Sequence, residues 1–144
     1  MSECIFCKII EGEIPAERVY EDEDVVAFLD ANPLAEGHTL VVPREHVERV
    51  SDLDPDLAGR YFRPVPEIAG AVQEAVGADG ATMAWNEGSA AGQEVPHAHL
   101  HIVPRWDSDR HGPIHALFQA QGEVEVDEAG LAQSVRAELQ AARA

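Results

Sequence analysis

The chain predicts an α+β fold, a mostly antiparallel sheet with helices packed on one side, and three observations carry that prediction. Short β-branched and aromatic runs recur with tight connections between them, which suits hairpins better than long crossovers. Helical periodicity is confined to two blocks, one mid-chain and one near the C-terminal end, so helices and strands do not alternate as in a parallel α/β protein. The segment from His97 to Ile102 alternates imidazole and apolar side chains without a break. In a strand that spacing sends His97, His99 and His101 to one face and Ala98, Leu100 and Ile102 to the other, whereas a helix would scatter both sets. A length of 144 residues fits one domain able to bury a core without staples.

Taken in order, Arg18 to Glu21 and Asp24 to Asp30 read as a hairpin, being two apolar runs separated by two acidic residues. Ala31 to Gly37 holds a proline and a glycine and forms a turn, and His38 to Pro43 is the next strand. Ser51, Asp54 and Pro55 mark a helix start, with a hydroxyl for orphan amides and a proline tolerated in the first turn. Leu57, Tyr61, Val65, Ile68, Val72 and Val76 continue a helical stripe that ends before Gly77, and Pro64 and Pro66 predict a break near residues 63–66. Thr82 to Asn86 returns as a strand, Glu87 to Gly92 is a glycine-bearing loop, and the histidine strand follows between Pro96 and Pro104. Residues 106–126 show no period. Asp127 to Ala142 reads as an amphipathic helix with Leu131, Val135 and Leu139 on one stripe.

Charge narrows the partners. Ten Lys and Arg face 27 Asp and Glu, a formal charge of −17, and Lys8 is the sole lysine. That balance opposes polymeric nucleic acid and anionic membranes, both of which need basic patches. Acidic residues scattered over the whole chain fit a halophilic cytoplasm, where ~1 M salt shortens the screening length to about 3 Å. An ordinary acidic protein is the alternative, and loss of folding at low KCl separates the two. No apolar run reaches the ~20 residues that span a bilayer, and the N-terminal residues lack the pattern of a signal peptide. Two cysteines are too few for a disulfide framework. The expected location is cytoplasmic.

Three imidazoles on one strand face are a costly core and a useful site. A neutral imidazole is a nucleophile toward phosphorus, and a neighbouring one donates to developing negative charge. The loop Asn86-Glu-Gly-Ser-Ala-Ala-Gly-Gln93 lets backbone N–H groups approach an anion. His-Ala-His-Leu-His-Ile-Val resembles the pattern of the histidine triad, or HIT, superfamily of nucleotide hydrolases and transferases. The resemblance extends to Ile5-Phe-Cys-Lys-Ile-Ile, Ile14-Pro, Phe28-Leu-Asp30, His38-Thr-Leu-Val-Val-Pro43 with His46, and Asn86-Glu-Gly to Gly92-Gln93, closest to the Hint-like and bacterial or archaeal branch. It covers about residues 4–105, with 106–144 as a C-terminal extension of one HIT-like domain.

The resemblance implies roles. His99 attacks the α-phosphorus of a purine nucleotide and forms a nucleotidyl-histidine intermediate that water hydrolyses, with no catalytic metal. His101 and His38 orient it and contact the phosphate, and Gln93 and Asn86 bind phosphate oxygens. Asp30 accepts from the ribose hydroxyls, and Phe6, Ile9 and Phe28 form the slot for the base. The nearest implied activity is that of a purine nucleoside phosphoramidase. A diadenosine polyphosphate hydrolase and a nucleotide-binding module without turnover are the alternatives, and pairing as a homodimer is implied as well. Several members of that family carry Ser or Thr after the glutamine, where this chain has Glu94, which leaves the leaving group open.

Cys4-x-x-Cys7 is the second feature. A thioredoxin-like role would need a strand before it, for which the residues preceding Cys4 leave no room, so a metal is the better reading. Tetrahedral zinc needs two further N or S ligands, and the candidates are His46 and His97. Many bacterial and archaeal HIT proteins resemble this arrangement, which implies a structural zinc and removes His97 as a nucleophile. A rival reading has His97, His99 and His101 together holding a catalytic zinc; their spacing of about 6.5–7 Å along a strand opposes it.

Overall fold

The structure, a computed structural model, describes residues 3–118 and 124–143. It divides into two compact units, Met1–His111 and Gly112–Ala144. The first unit holds α1 (Ile5–Ile10), β1 (Arg18–Glu21), β2 (Val25–Leu29), β3 (Thr39–Pro43), α2 (Pro55–Phe62), α3 (Val65–Val76), β4 (Gly80–Ala84) and β5 (Leu100–Arg105). The five strands form one sheet in the order β1-β2-β3-β5-β4, every neighbour antiparallel. The α+β class and the antiparallel sheet expected from the sequence are both present.

β2 and β3 are apolar at nearly every position because they are buried along nearly their whole length. Val25 and Ala27 of β2, Val41 of β3 and Leu100 and Ile102 of β5 meet Leu57, Tyr61, Ile68, Ala69 and Val72 of α2 and α3 on one face. On the opposite face Val26, Phe28, Leu40 and Val42 meet Phe6, Cys7 and Ile9 of α1. Strands covered on both sides lose the polar half of the alternation. α2 and α3 share one face, as expected. The six residues of α1 are too few to display a period, yet they seal the other face.

Several boundaries differ from the sequence expectation, each for a tertiary reason. Asp54, not Ser51, caps α2, its Oδ2 accepting from the Asp56 and Leu57 amides at 3.2 and 3.3 Å. Ser51 lies in a short 3₁₀ turn and donates its hydroxyl to Glu87 at 2.7 Å. The break at Pro64 falls where two prolines predict it, and Gly77 ends α3 at φ 62°, a left-handed conformation that favours glycine. β4 begins at Gly80 instead of Thr82 because its partner β5 runs on to Arg105, opposite Gly80. Trp85 then leaves the strand and donates to the Tyr61 hydroxyl at 3.1 Å.

The histidine segment shows the largest departure. β5 starts at Leu100, so His97 and His99 precede the ladder instead of lying in it. The Ala98 amide bonds to the Val47 carbonyl and the His97 amide to the Val95 carbonyl, which draws this stretch away from β3. Pro104 sits inside β5, past the last residue paired with β3, where its missing N–H costs that ladder nothing.

In the second unit α4 spans Glu128–Arg143, the expected helix shifted by one residue toward the C-terminus, and Asp127 accepts from the Gly130 amide at 3.1 Å at its start. Among the described residues no helix is long and apolar enough to cross a membrane.

Candidate active site and metal centre

Sheet geometry brings five separate segments to one groove. Phe6 and Ile9 arrive on α1, Phe28 and Asp30 at the end of β2, His38 at the start of β3, Asn86 after β4, and His99 and His101 at the start of β5. All eight line a single groove of about 930 Å³, a volume ordinary for a small-molecule site. The Phe6 ring stands edge-on to His99 with centroids 4.9 Å apart and edge-on to Phe28 at 5.5 Å.

Backbone carbonyls set the protonation of the central histidine. The Nδ1 of His99 lies 2.7 Å from the His97 carbonyl oxygen, which only accepts, so Nδ1 carries the proton and Nε2 keeps its lone pair. Burial holds the His99 pKa below its ordinary value, against the opposing pull of that carbonyl bond and of Asp30. The ring is therefore neutral at pH 7, with one unprotonated nitrogen.

A chain of bonds fixes the other two imidazoles. The Leu34 amide donates to His38 Nδ1 at 3.0 Å, so a neutral His38 is protonated on Nε2. That nitrogen lies 3.0 Å from His101 Nδ1 and donates to it, which leaves the His101 proton on Nε2. Burial lowers the His101 pKa to about 4, helped by His99 and His38, and burial lowers that of His38 as well. A single tautomer thus runs from the Leu34 amide through two rings to a donor at His101 Nε2, beside the lone pair of His99. Asp30 places Oδ2 at 3.6 Å from His38 Nε2 and accepts the Asn32 amide on Oδ1 at 2.9 Å.

Gln93 is placed differently from its neighbours. Its Oε1 accepts from the Gly88 amide at 2.8 Å, and its Nε2 donates to the Glu48 and Val95 carbonyls at 2.8 and 3.0 Å. The amide is spent on backbone and lies outside the groove lining, so it clamps the loop from Gly88 to Val95. Gly92, Glu94 and Val95 of that loop do line the groove.

The cysteine pair forms the second centre. Cys4 Sγ lies 3.4 Å from His97 Nδ1, and Cys7 Sγ lies 3.3 Å from His46 Nδ1 and 3.5 Å from His97 Nδ1. All four ligand atoms fall within 4.8 Å of one another. Ligands held 2.0–2.3 Å from one tetrahedral ion stand about 3.5 Å apart, so the donor set and its spacing fit zinc. His97 is fully buried and donates Nε2–H to the Pro43 carbonyl at 2.8 Å, which aims the Nδ1 lone pair at the thiols. Burial lowers its pKa to about 4, and a neutral imidazole is the ligating form. Among the described residues the triad histidines do not gather around one point: His97 belongs to this cluster, while His101 groups with Asp30 and His38. That separation removes the reading of a three-histidine catalytic zinc.

The groups missed by sequence reasoning are the carbonyls of Pro43 and His97 and the amide of Leu34. Each is a backbone atom, and no side-chain pattern marks it.

The family model described as "HIT domain" matches residues 11–108. The chain is 50% identical over 103 residues to "Protein hit" of Bacillus subtilis, covering 72% of this chain and 71% of that protein. It is 40% identical over 108 residues to the adenylylsulfatase HINT3 of Arabidopsis thaliana, covering 75% of this chain and 55% of that one. The crystal structure of a Zn-bound histidine triad family protein from Mycobacterium smegmatis superposes with a TM-score of 0.70 at 37% identity, over 97% of each chain. With matches of this extent, the chain belongs to the HIT domain family.

Proposed function

We propose that this protein hydrolyses nucleoside 5′-phosphate derivatives at the α-phosphorus, by covalent catalysis through His99, and that nucleoside phosphoramidates are its substrates. The observation that carries the reading is the His99 Nδ1–H bond to the His97 carbonyl at 2.7 Å. It leaves an unprotonated Nε2 on a groove-lining ring at neutral pH, which is what a phosphorus nucleophile requires.

The steps follow from the tautomers. With the base against Phe6, Ile9 and Phe28 and the ribose hydroxyls donating to Asp30, the α-phosphate meets His99. His99 Nε2 forms a bond to phosphorus, the bond to the leaving nitrogen breaks, and that nitrogen takes a proton from solvent while His101 Nε2–H donates a hydrogen bond to a phosphate oxygen. Water then attacks phosphorus and gives its proton to solvent, and His99 departs with its lone pair restored while His101 keeps its proton throughout. The products are the amine and the nucleoside monophosphate, and both rings return to their starting forms. His38 acts behind His101, holding its tautomer through the 3.0 Å bond. The similarity to a protein named as an adenylylsulfatase supports cleavage at an adenylyl phosphorus.

Cys4, Cys7, His46 and His97 would hold a zinc ion that ties α1 to the sheet and takes no part in the steps above. Zinc supplies only a closed four-ligand tether there. The test is a rapid acid- and base-quench with nucleotide labelled at the α-phosphorus. Wild-type protein is expected to trap acid-labile label on one histidine, and His99→Ala to trap none and lose turnover by at least about 10³-fold. Retention of full turnover by His99→Ala sinks the mechanism.

A further inference from the structure

We propose that Glu94 selects the charge of the leaving group, so that the favoured substrates are phosphoramidates whose amine carries a second, positively charged group, as a diamine does. The inference rests on the phosphoramidate reading above and adds a specificity residue to it.

The groove was expected to receive a phosphate, yet among the described residues no Lys or Arg lines it, and three carboxylates, those of Glu17, Asp30 and Glu94, do. Asp30 is engaged with the Asn32 amide and stands beside His38. Glu94 is exposed, and among the described residues no cation pairs with it. The clamp that Gln93 places on Gly88, Glu48 and Val95 holds the neighbouring backbone, so Glu94 is displayed from a fixed loop.

Topology places Glu94 at the end of the groove where a leaving group departs. Asp30 and His38 sit where β2 ends and β3 begins, and they mark the ribose end. His46 follows the other end of β3 and lines a smaller cavity of about 410 Å³ together with Ile5, Glu94 and Val95. Those last three residues also line the groove, so the two spaces adjoin there. A nucleoside held at Asp30 with its phosphorus at His99 therefore directs the departing chain past Glu94, with room to extend. An anionic leaving group, a nucleotide above all, meets a carboxylate with no compensating cation. A leaving amine that bears a distal ammonium meets an attractive one.

The experiment compares kcat/KM for three adenosine 5′-phosphoramidates of similar length, made from 1,4-diaminobutane, butylamine and 4-aminobutyrate. A unit charge about 4 Å from a carboxylate in water-like screening changes a rate constant about fivefold, so the cationic to anionic ratio is expected near tenfold after salt screening. Glu94→Gln should bring that ratio close to one, and Glu94→Lys should reverse it. In ~1 M KCl the wild-type ratio should contract toward one, as an exposed charge requires. A wild-type ratio of one or below, or a ratio that survives Glu94→Gln, overturns the assignment of Glu94 while leaving the phosphoramidase reading standing. Turnover of none of the three overturns both.

Discussion

Acidifying the metal-free protein from about pH 7.5 to about 4.5, in chelator and reductant, is expected to cost about 3 kcal/mol of stability through His97 alone. The ring is fully buried, and burial depresses its pKa from 6.5 to about 4. The sign follows from which state binds the proton first. The unfolded chain protonates His97 near 6.5, while the folded protein resists until about 4. Its contribution is therefore complete above about 6.5 and is lost as pH falls toward the folded value. Over the two pH units from about 6.5 to about 4.5 the unfolded state holds one extra proton, at about 1.4 kcal/mol per unit, which makes about 3 kcal/mol. Against a domain stability of about 5–15 kcal/mol, that is a large share. His101 titrates in the same direction with a smaller share, because it is partly exposed to solvent. Urea melts at several pH values give the slope, and His97→Gln should reduce it by about one proton between pH 6 and 4.5, whatever it does to the absolute stability. Equal slopes for wild type and variant would refute the buried, neutral His97 and the tautomer deduced from it.

Three further outcomes follow. Tyr61→Phe removes a fully buried hydroxyl that donates to the Val41 carbonyl at 2.7 Å and accepts from Trp85 at 3.1 Å; thermal melts should show a loss of about 1–3 kcal/mol. Cys7→Ser replaces the thiol that lies within 3.5 Å of both His46 and His97, so bound zinc in protein purified under reducing conditions should fall from about one equivalent to near zero and the melting temperature should drop; unchanged metal content would dismiss the four-ligand centre. Gln93→Ala unfastens the loop from Gly88, Glu48 and Val95, and kcat/KM should fall about tenfold while His99 still traps label in a quench, because the loop and not the nucleophile has been disturbed.

Much of the sheet was legible because its causes are local. Val25 to Leu29 and Thr39 to Pro43 announce themselves as strands by composition, and Pro64, Pro66 and Gly77 punctuate α2 and α3 through backbone restrictions that belong to those residues. α1 was not legible as an element, since six residues hold too few turns for a period and its helix depends on burying Phe6, Cys7 and Ile9. The start of β5 was misplaced by the alternation itself. The pattern of His97 to Ile102 says which side chains share a face, but pairing with β3, not alternation, decides where a ladder begins.

By itself the sequence determined the residue types at the site: the three histidines, the carboxylate at Asp30, the aromatic pair and the two thiols, together with an acidic chain that has one lysine to spend. Side-chain chemistry is a property of each residue, so it is present before folding. Only the tertiary structure decided how those groups divide their labour. It sent His97 to the cysteines, spent Gln93 on three backbone groups, and set Glu94 beside a stretch of groove where no described residue is a cation. It also chose which nitrogen of each imidazole holds a proton, through the carbonyls of Pro43 and His97 and the amide of Leu34. Those partners are backbone atoms that every residue carries, so their direction depends on the path of the chain and not on its letters.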